Sequence, residues 1–136
     1  MTTVRAGSNG LATDGLTVLG ADVREPIEHV EVFPAPTHVR EVVLTTEEVA
    51  SLCPVTSQPD LSSVEIAYSP HRSCVETKSL KLYLWGFRQR QVFAEALAAE
   101  IADEIMRSAH PHRVTVRVTQ RPRGGITVSA LAERTA

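Results

Sequence analysis

Alternating apolar and polar positions predict four β-strands, two before the middle of the chain and two near its end. The runs 39–44 and 62–68 are rich in β-branched residues and are predicted as the first pair. The runs 114–119 and 126–131 are predicted as the second pair, joined by a turn over 120–125 that contains Pro and two Gly residues.

Helical spacing occurs in three segments between these strands. A capping-box pattern that starts at Thr45 predicts a single helical turn over 45–52. From Ser79 the apolar residues recur at helical spacing, and Gly86 is expected to weaken or end that helix. The clearest helix is predicted over 93–107. Its apolar stripe consists of Phe93, Leu97, Ile101 and Ile105.

The major elements therefore follow the order ββααββ. Two strand pairs around a helical pair predict an α+β fold, a four-stranded antiparallel sheet with both helices on one face. The outer strands of such a sheet are open edges, which favours a homo-oligomer paired edge to edge. Residues 1–26, rich in Gly, are interpreted as a flexible N-terminal arm, and 27–136 as a single domain.

Composition narrows the class of protein. The chain has 136 residues, of which 43% are hydrophobic and 22% charged, as in ordinary globular domains. The net charge of -2 gives no indication of a nucleic-acid or membrane partner. We expect a cytoplasmic protein with reduced thiols, because neither a signal peptide nor a long apolar run is evident. The two cysteines form no CxxC pair, and no metal site is predicted.

Cys53 and Asp60 are the first candidates for chemistry. They lie seven residues apart on a Pro-punctuated loop between the first two predicted strands. A low-pKa thiol can serve as a nucleophile, and a nearby carboxyl as a proton donor. The alternatives are a cysteine that acts as a small buried hydrophobic residue and an aspartate that hydrogen-bonds its own turn.

Lysine and arginine form two candidate anion sites. Lys78 and Lys81 lie three residues apart at a predicted helix start, where phosphate is favoured. Arg123 precedes a Gly-Gly pair that permits close backbone approach to a ligand. A solvated helix start and a tight hairpin with exposed arginines are the alternatives.

Glu95 lies in the first turn of the helix predicted over 93–107. A carboxylate can bind the N–H edge of a guanine-like base. A favourable interaction with the helix dipole explains the same residue without a ligand.

Three segments in this order resemble the NADPH-dependent 7-cyano-7-deazaguanine reductases, the QueF nitrile reductases. They are 52–60 (Leu-Cys-Pro-Val-Thr-Ser-Gln-Pro-Asp), 75–83 (Val-Glu-Thr-Lys-Ser-Leu-Lys-Leu-Tyr) and 122–126 (Pro-Arg-Gly-Gly-Ile). The resemblance covers about residues 38 to 129 and identifies the chain as a divergent, short member. It implies a tunnelling fold in a homo-oligomer, with active sites between subunits.

The resemblance also implies roles for individual residues. Cys53 would form a covalent thioimide with the nitrile carbon of 7-cyano-7-deazaguanine, and Asp60 would protonate the nitrile nitrogen. NADPH would then reduce the adduct to 7-aminomethyl-7-deazaguanine. Lys78, Lys81 and Arg123 correspond to family residues that bind the cofactor's phosphates. The residues that correspond to substrate contacts are Glu95, Glu76 and Thr77.

Some positions depart from the family pattern. Ala94 stands where a histidine beside the substrate is usual, and Ser57 stands where Gly is common. The first departure puts turnover in question and leaves two alternatives open. One is a relative of the archaeal amidinotransferases, which add ammonia to the same thioimide, and the other is a non-catalytic deazaguanine-binding ring protein. The pathway expected from the family is queuosine synthesis, in tRNA modification, and a deazapurine secondary-metabolite route is also open.

Overall fold

A computed structural model describes residues 16–136 of the chain. It contains six β-strands, two α-helices and one short 3-10 helix. The strands are β1 (Val32–Pro34), β2 (Val42–Leu52), β3 (Pro59–Ser69), β4 (Ser73–Val75), β5 (Arg113–Arg123) and β6 (Ile126–Thr135). The helices are α1 (Thr77–Trp85), the 3-10 helix (Gly86–Gln89) and α2 (Ala94–Ala109).

The main sheet has four antiparallel strands in the order β2-β3-β5-β6. Side chains alternate between its two faces, and the inward residues of β3 and β5 are buried together with residues of both helices. The 16 residues of α2 place Leu97, Ile101 and Ile105 in this core. The α+β class, the antiparallel sheet and the helical pair are confirmed.

Two short strands were not predicted. β1 pairs antiparallel with β4, and Val32 lies opposite Val75 in this small second sheet. The predicted order ββααββ therefore describes the main sheet and omits this pair. Strands of three residues carry too little periodicity to be found from sequence, and their pairing depends on contacts between residues about 40 positions apart.

The helical turn predicted over 45–52 is wrong. β2 continues through this segment, and a register shift between Thr46 and Val49 accommodates the two intervening glutamates as a bulge. Thr46 Oγ1 accepts a hydrogen bond from Glu48 N at 3.1 Å, so the local contact typical of a helix start forms inside a strand. Pairing with β3 outweighs the local capping pattern.

The last hairpin is tighter than predicted. β5 continues to Arg123, so only Gly124 and Gly125 form the turn. Both glycines have positive φ, 60° and 79°, which is the backbone that a two-residue turn requires and that a Cβ atom would disfavour. The hairpin therefore brings Arg123 to the end of the sheet that carries Cys53.

The predicted N-terminal arm is described only from residue 16 onward, and residues 1–15 lie outside the described part. Leu16 and Val18 are buried against the domain. The backbone N–H groups of Thr17 and Val18 donate to the carboxylate of Glu31 at 2.6 and 3.1 Å. This part of the segment thus packs on the domain, while the boundary near residue 26 stays a prediction.

Candidate active site

Cys53 is the residue that follows β2, and backbone hydrogen bonds hold it on two sides. Its N–H donates to Gln58 O at 2.8 Å, and its carbonyl accepts from Ser57 N at 2.8 Å, which closes the loop. On the other side, Leu52 N donates to Arg90 O and Val92 N donates to Leu52 O. The loop and the segment before α2 are therefore fixed to each other.

The Cys53 thiol has the properties of a nucleophile. The residue is 7% exposed. Hydrogen bonds from the Thr56 side chain and from the backbone N–H groups of Thr56 and Val55 lower the pKa of the thiol from 9.0 to about 7. Burial opposes this shift, and a hydrogen bond from Arg123 adds to it. A lower pKa increases the share of the thiolate, which is the nucleophilic form, at neutral pH.

Asp60 lies at the start of β3, directly opposite Ser51 of β2, and is 2% exposed. Its carboxylate accepts a hydrogen bond from the Arg123 guanidinium at 2.6 Å. Arg123 also contributes to the lowered pKa of the Cys53 thiol, so the predicted nucleophile and the predicted acid are both influenced by one guanidinium. This arrangement can form a bond to an electrophilic carbon and move a proton next to it.

Glu76 caps α1, which explains its burial. Its carboxylate accepts from Lys78 N at 2.7 Å and from Ser79 N at 2.8 Å, and these two bonds satisfy N–H groups that the helix leaves free. Thr77, the first residue of the helix, is exposed. Only Thr77 of this pair presents its side chain at the surface, and the predicted role of both in substrate binding stays a prediction.

The two lysines of α1 have different surroundings. Lys78 Nζ donates to the carbonyls of Val18 and Ala21 at 2.8 and 2.6 Å, so the N-terminal segment holds its ammonium group. Lys81 is exposed and lines a groove of about 500 Å³ between α1 and β2. The other lining residues are mostly apolar and include Leu44, Val49, Ile66, Leu80 and Leu84.

The start of α2 presents two exposed side chains beside the Cys53 loop. Glu95 lies in the first turn of the helix, and Phe93, which the apolar stripe predicted to be in the core, is 55% exposed. Ala94 between them is buried. The bridge between Leu52 and Gln91 places this helix start next to the nucleophile.

Sequence reasoning missed Thr56 and misjudged Phe93. The hydroxyl of Thr56 is the largest influence on the pKa of the Cys53 thiol, and the only signal in the sequence is its position three residues after the cysteine. Phe93 is the N-cap of α2 and has an extended backbone, so its side chain does not have to point to the same side as the apolar face of the helix.

No helix in residues 16–136 combines the length and the apolar character that a membrane crossing needs.

Comparisons with known proteins agree on one family. The model of the QueF family, described as QueF-like protein, matches residues 59–136. An NADPH-dependent 7-cyano-7-deazaguanine reductase of Alkalilimnicola ehrlichii is 40% identical over 111 residues, which cover 80% of this chain and 86% of that protein. A protein of the same name from Thermomicrobium roseum is 40% identical over 116 residues, 82% of this chain and 91% of the relative.

A solved structure has the same fold. The apo form of the archaeosine synthase QueF-Like superimposes with a TM-score of 0.67 at 25% sequence identity. The match covers 73% of this chain and 94% of that one.

Proposed function

The chain belongs to the QueF family, and we propose that it is a nitrile reductase that converts 7-cyano-7-deazaguanine to 7-aminomethyl-7-deazaguanine with two NADPH. The observation that carries this proposal is the cluster of Cys53, Asp60 and Arg123, with a thiol whose pKa is lowered to about 7. The names of the relatives support the same reaction and the same cofactor.

The first step uses groups of this chain alone. The Cys53 thiol gives its proton to Asp60, and the thiolate attacks the nitrile carbon. A C–S bond forms, and one π pair of the nitrile moves to the nitrogen, which takes that proton from Asp60. The product is a thioimide on Cys53. When it is bound, NADPH supplies hydride to this carbon, and Cys53 leaves as a thiol before the second reduction.

The described residues fit such a cofactor in part. Lys81, which is exposed, and Thr77 line the groove between α1 and β2, where an ammonium group can meet a phosphate. Lys78 would join them only after it releases the carbonyls of Val18 and Ala21. Arg123 would have to leave Asp60 to contact a phosphate.

Glu95 and Phe93 are the proposed contacts of the substrate base. A carboxylate at Glu95 accepts hydrogen bonds from the N–H edge of a deazaguanine, and the exposed ring of Phe93 offers a stacking surface. Glu76 and Thr77 are proposed as a second substrate-lining segment. They belong to α1, whereas Cys53 and Glu95 lie around the end of β2.

This separation supports a site completed by a neighbouring subunit. We propose a homo-oligomer of tunnelling-fold domains, formed by residues 27–136 and paired along open sheet edges, that acts on a small-molecule deazapurine in the cytoplasm. Queuosine synthesis and deazapurine secondary metabolism are both compatible with this reaction.

A second candidate is the addition of ammonia to the same thioimide. The structural similarity to an archaeosine synthase favours it, and so does the buried Ala94, which carries no proton donor beside the site. In this reaction ammonia bonds to the thioimide carbon, Cys53 leaves as a thiol, and the product is an amidine without any change in oxidation state.

Intact-protein mass spectrometry with 7-cyano-7-deazaguanine tests both candidates. Wild type and Cys74→Ala, the matched cysteine control, should gain one substrate mass, and Cys53→Ala should gain none. Addition of NADPH should discharge the adduct with two NADPH oxidised per product. Discharge by ammonium alone would instead establish the amidine reaction. Tight binding of the ligand without any mass shift on wild type would contradict both and indicate a binding protein.

A further inference from the structure

A row of buried polar side chains crosses three strands of the main sheet beside Cys53. Ser51 of β2, Ser62 of β3 and Gln120 of β5 are 1%, 2% and 4% exposed. The strands place Ser51 opposite Asp60 and Ser62 opposite Gln120. Because side chains alternate along a strand, all of them share the inward face of the sheet. We call Ser51, Ser62 and Gln120 the polar row.

Three polar atoms of the polar row lack hydrogen-bond partners within the described part of the protein. Ser51 Oγ, Ser62 Oγ and Gln120 Nε2 make no hydrogen bond to any residue of 16–136. Gln120 Oε1 accepts from Arg123 at 3.2 Å, so the amide is oriented and its Nε2 group is directed elsewhere. A buried donor without a partner is unfavourable, and apolar residues of similar size would fill the same space at lower cost.

The positions along the strands are not scattered. On the inward face, Val49, Val64 and Val118 occupy the places one step further into the core. Each of the three strands changes from valine to a polar residue on this face. β3 and β5 change at the same level, where Ser62 lies opposite Gln120, and β2 changes one level nearer Cys53, because Val49 lies opposite Ser62. The change therefore belongs to the site rather than to the core.

We propose that the polar row binds the nitrogen atom of the group that Cys53 attacks, an inference that rests on the proposed nitrile chemistry. The π pair that leaves the carbon collects on this nitrogen, next to Asp60, which supplies the proton. Gln120 Nε2 donates to the developing charge, in the way that an oxyanion hole stabilises an oxygen.

The two serines suit a nitrogen whose character changes during the reaction. A nitrile nitrogen only accepts hydrogen bonds, whereas the nitrogen of an amine product also donates them. A hydroxyl can do either, because its hydrogen rotates. Ser51 and Ser62 can therefore follow the nitrogen from substrate to product without any movement of the strands.

Arg123 forms the outer layer of this arrangement. Its side chain is 48% exposed, and it contacts Asp60 and Gln120, which are buried. The guanidinium therefore lies between these buried groups and the surface.

The test compares Gln120→Met, Ser51→Ala and Ser62→Ala with Ser63→Ala, whose side chain lies on the opposite face of β3. Quenched-flow mass spectrometry measures the rate of adduct formation, equilibrium titration measures substrate affinity, and thermal unfolding measures Tm. Gln120→Met should slow adduct formation by about 100-fold, and each serine variant by about fivefold to tenfold. Substrate affinity should change by less than about threefold, and Ser63→Ala should match wild type.

Stability provides an independent readout. Since the serine hydroxyls have no hydrogen-bond partner among residues 16–136, Ser51→Ala and Ser62→Ala should keep or raise Tm while they slow the reaction. If wild type forms no adduct, the proposed function fails and this inference falls with it. If wild type forms the adduct and the variants form it equally fast, the inference alone fails. A slower reaction together with a lower Tm in the two serine variants would assign the polar row to the fold and overturn the proposal.

Discussion

The reactivity of Cys53 should depend on one hydroxyl group. The Thr56 side chain is the largest of the influences that lower the pKa of the thiol from 9.0 to about 7. Thr56→Val removes the donor and keeps the shape, so the pKa should rise toward its ordinary value. Thr56→Ser restores the hydroxyl and should restore the pKa. Thr45→Val, at an exposed position of β2, is the matched control.

The magnitude follows from two opposing effects. At pH 6, each unit by which the pKa rises reduces the thiolate fraction about tenfold. Each unit also makes the remaining thiolate about threefold more nucleophilic, since nucleophilicity increases with basicity. For each unit by which its pKa rises, Thr56→Val should therefore react about threefold more slowly than wild type at pH 6. On the plateau above its pKa, it should react about threefold faster for each unit.

The assay is alkylation of Cys53 by iodoacetamide across pH 5 to 10, followed at the level of the peptide so that Cys74 does not contribute. Wild type, Thr45→Val and Thr56→Ser should share a midpoint near 7. A wild-type midpoint near 9 would refute the description of the thiol. An unchanged midpoint in Thr56→Val would refute the role of the hydroxyl.

Three further substitutions test the surroundings of the site. Lys78→Met should lower the free energy of unfolding by about 1.5 kcal/mol and speed proteolysis near residues 16–25, because the contacts of Lys78 with Val18 and Ala21 are lost. Lys81→Met is the control, and an equal loss of stability in that variant would contradict the assigned contacts. Tyr68→Phe leaves the Val75 N–H without its acceptor at 2.8 Å and should cost about 1–3 kcal/mol in urea unfolding. Burial raises the pKa of Glu104, but hydrogen bonds from Arg107, Ser108 and Val30 outweigh it, so the pKa lies below 4.5. This carboxylate stabilises the fold above that pH and loses its effect as the pH falls through the folded-state pKa, so Glu104→Gln should be least destabilising in acid.

Local patterns predicted the elements that have strong periodicity. The helix over 94–109 and the strand over 59–69 follow from regular apolar spacing, and His110 ends the helix as its sequence position suggests, with a left-handed backbone at φ 47°. The pattern over 45–52 misled because a capping box is a local signal, and pairing with β3 decides the outcome. The same holds for part of the site, because the sequence shows the spacing of Cys53 and Asp60.

Contacts between distant segments could not be predicted. Nothing near Lys78 in the chain indicates that Val18 and Ala21 hold its ammonium group, because those residues are about 60 positions away. Likewise, Arg123 was expected at a phosphate, and the ion pair with Asp60 depends on how β5 and β3 align. Such contacts are set by register, which a single sequence specifies only weakly.

Leu52 sets the length of the outer edge of β2. Its N–H and its carbonyl both bond to residues 90–92, so the backbone groups of the strand are already satisfied at that point. A strand from a second copy that joined this edge would have to stop before Leu52. The alignment of two copies and the position of Cys53 would then depend on the same pair of backbone hydrogen bonds, and a substitution that shifted residues 90–92 would alter assembly and reactivity together.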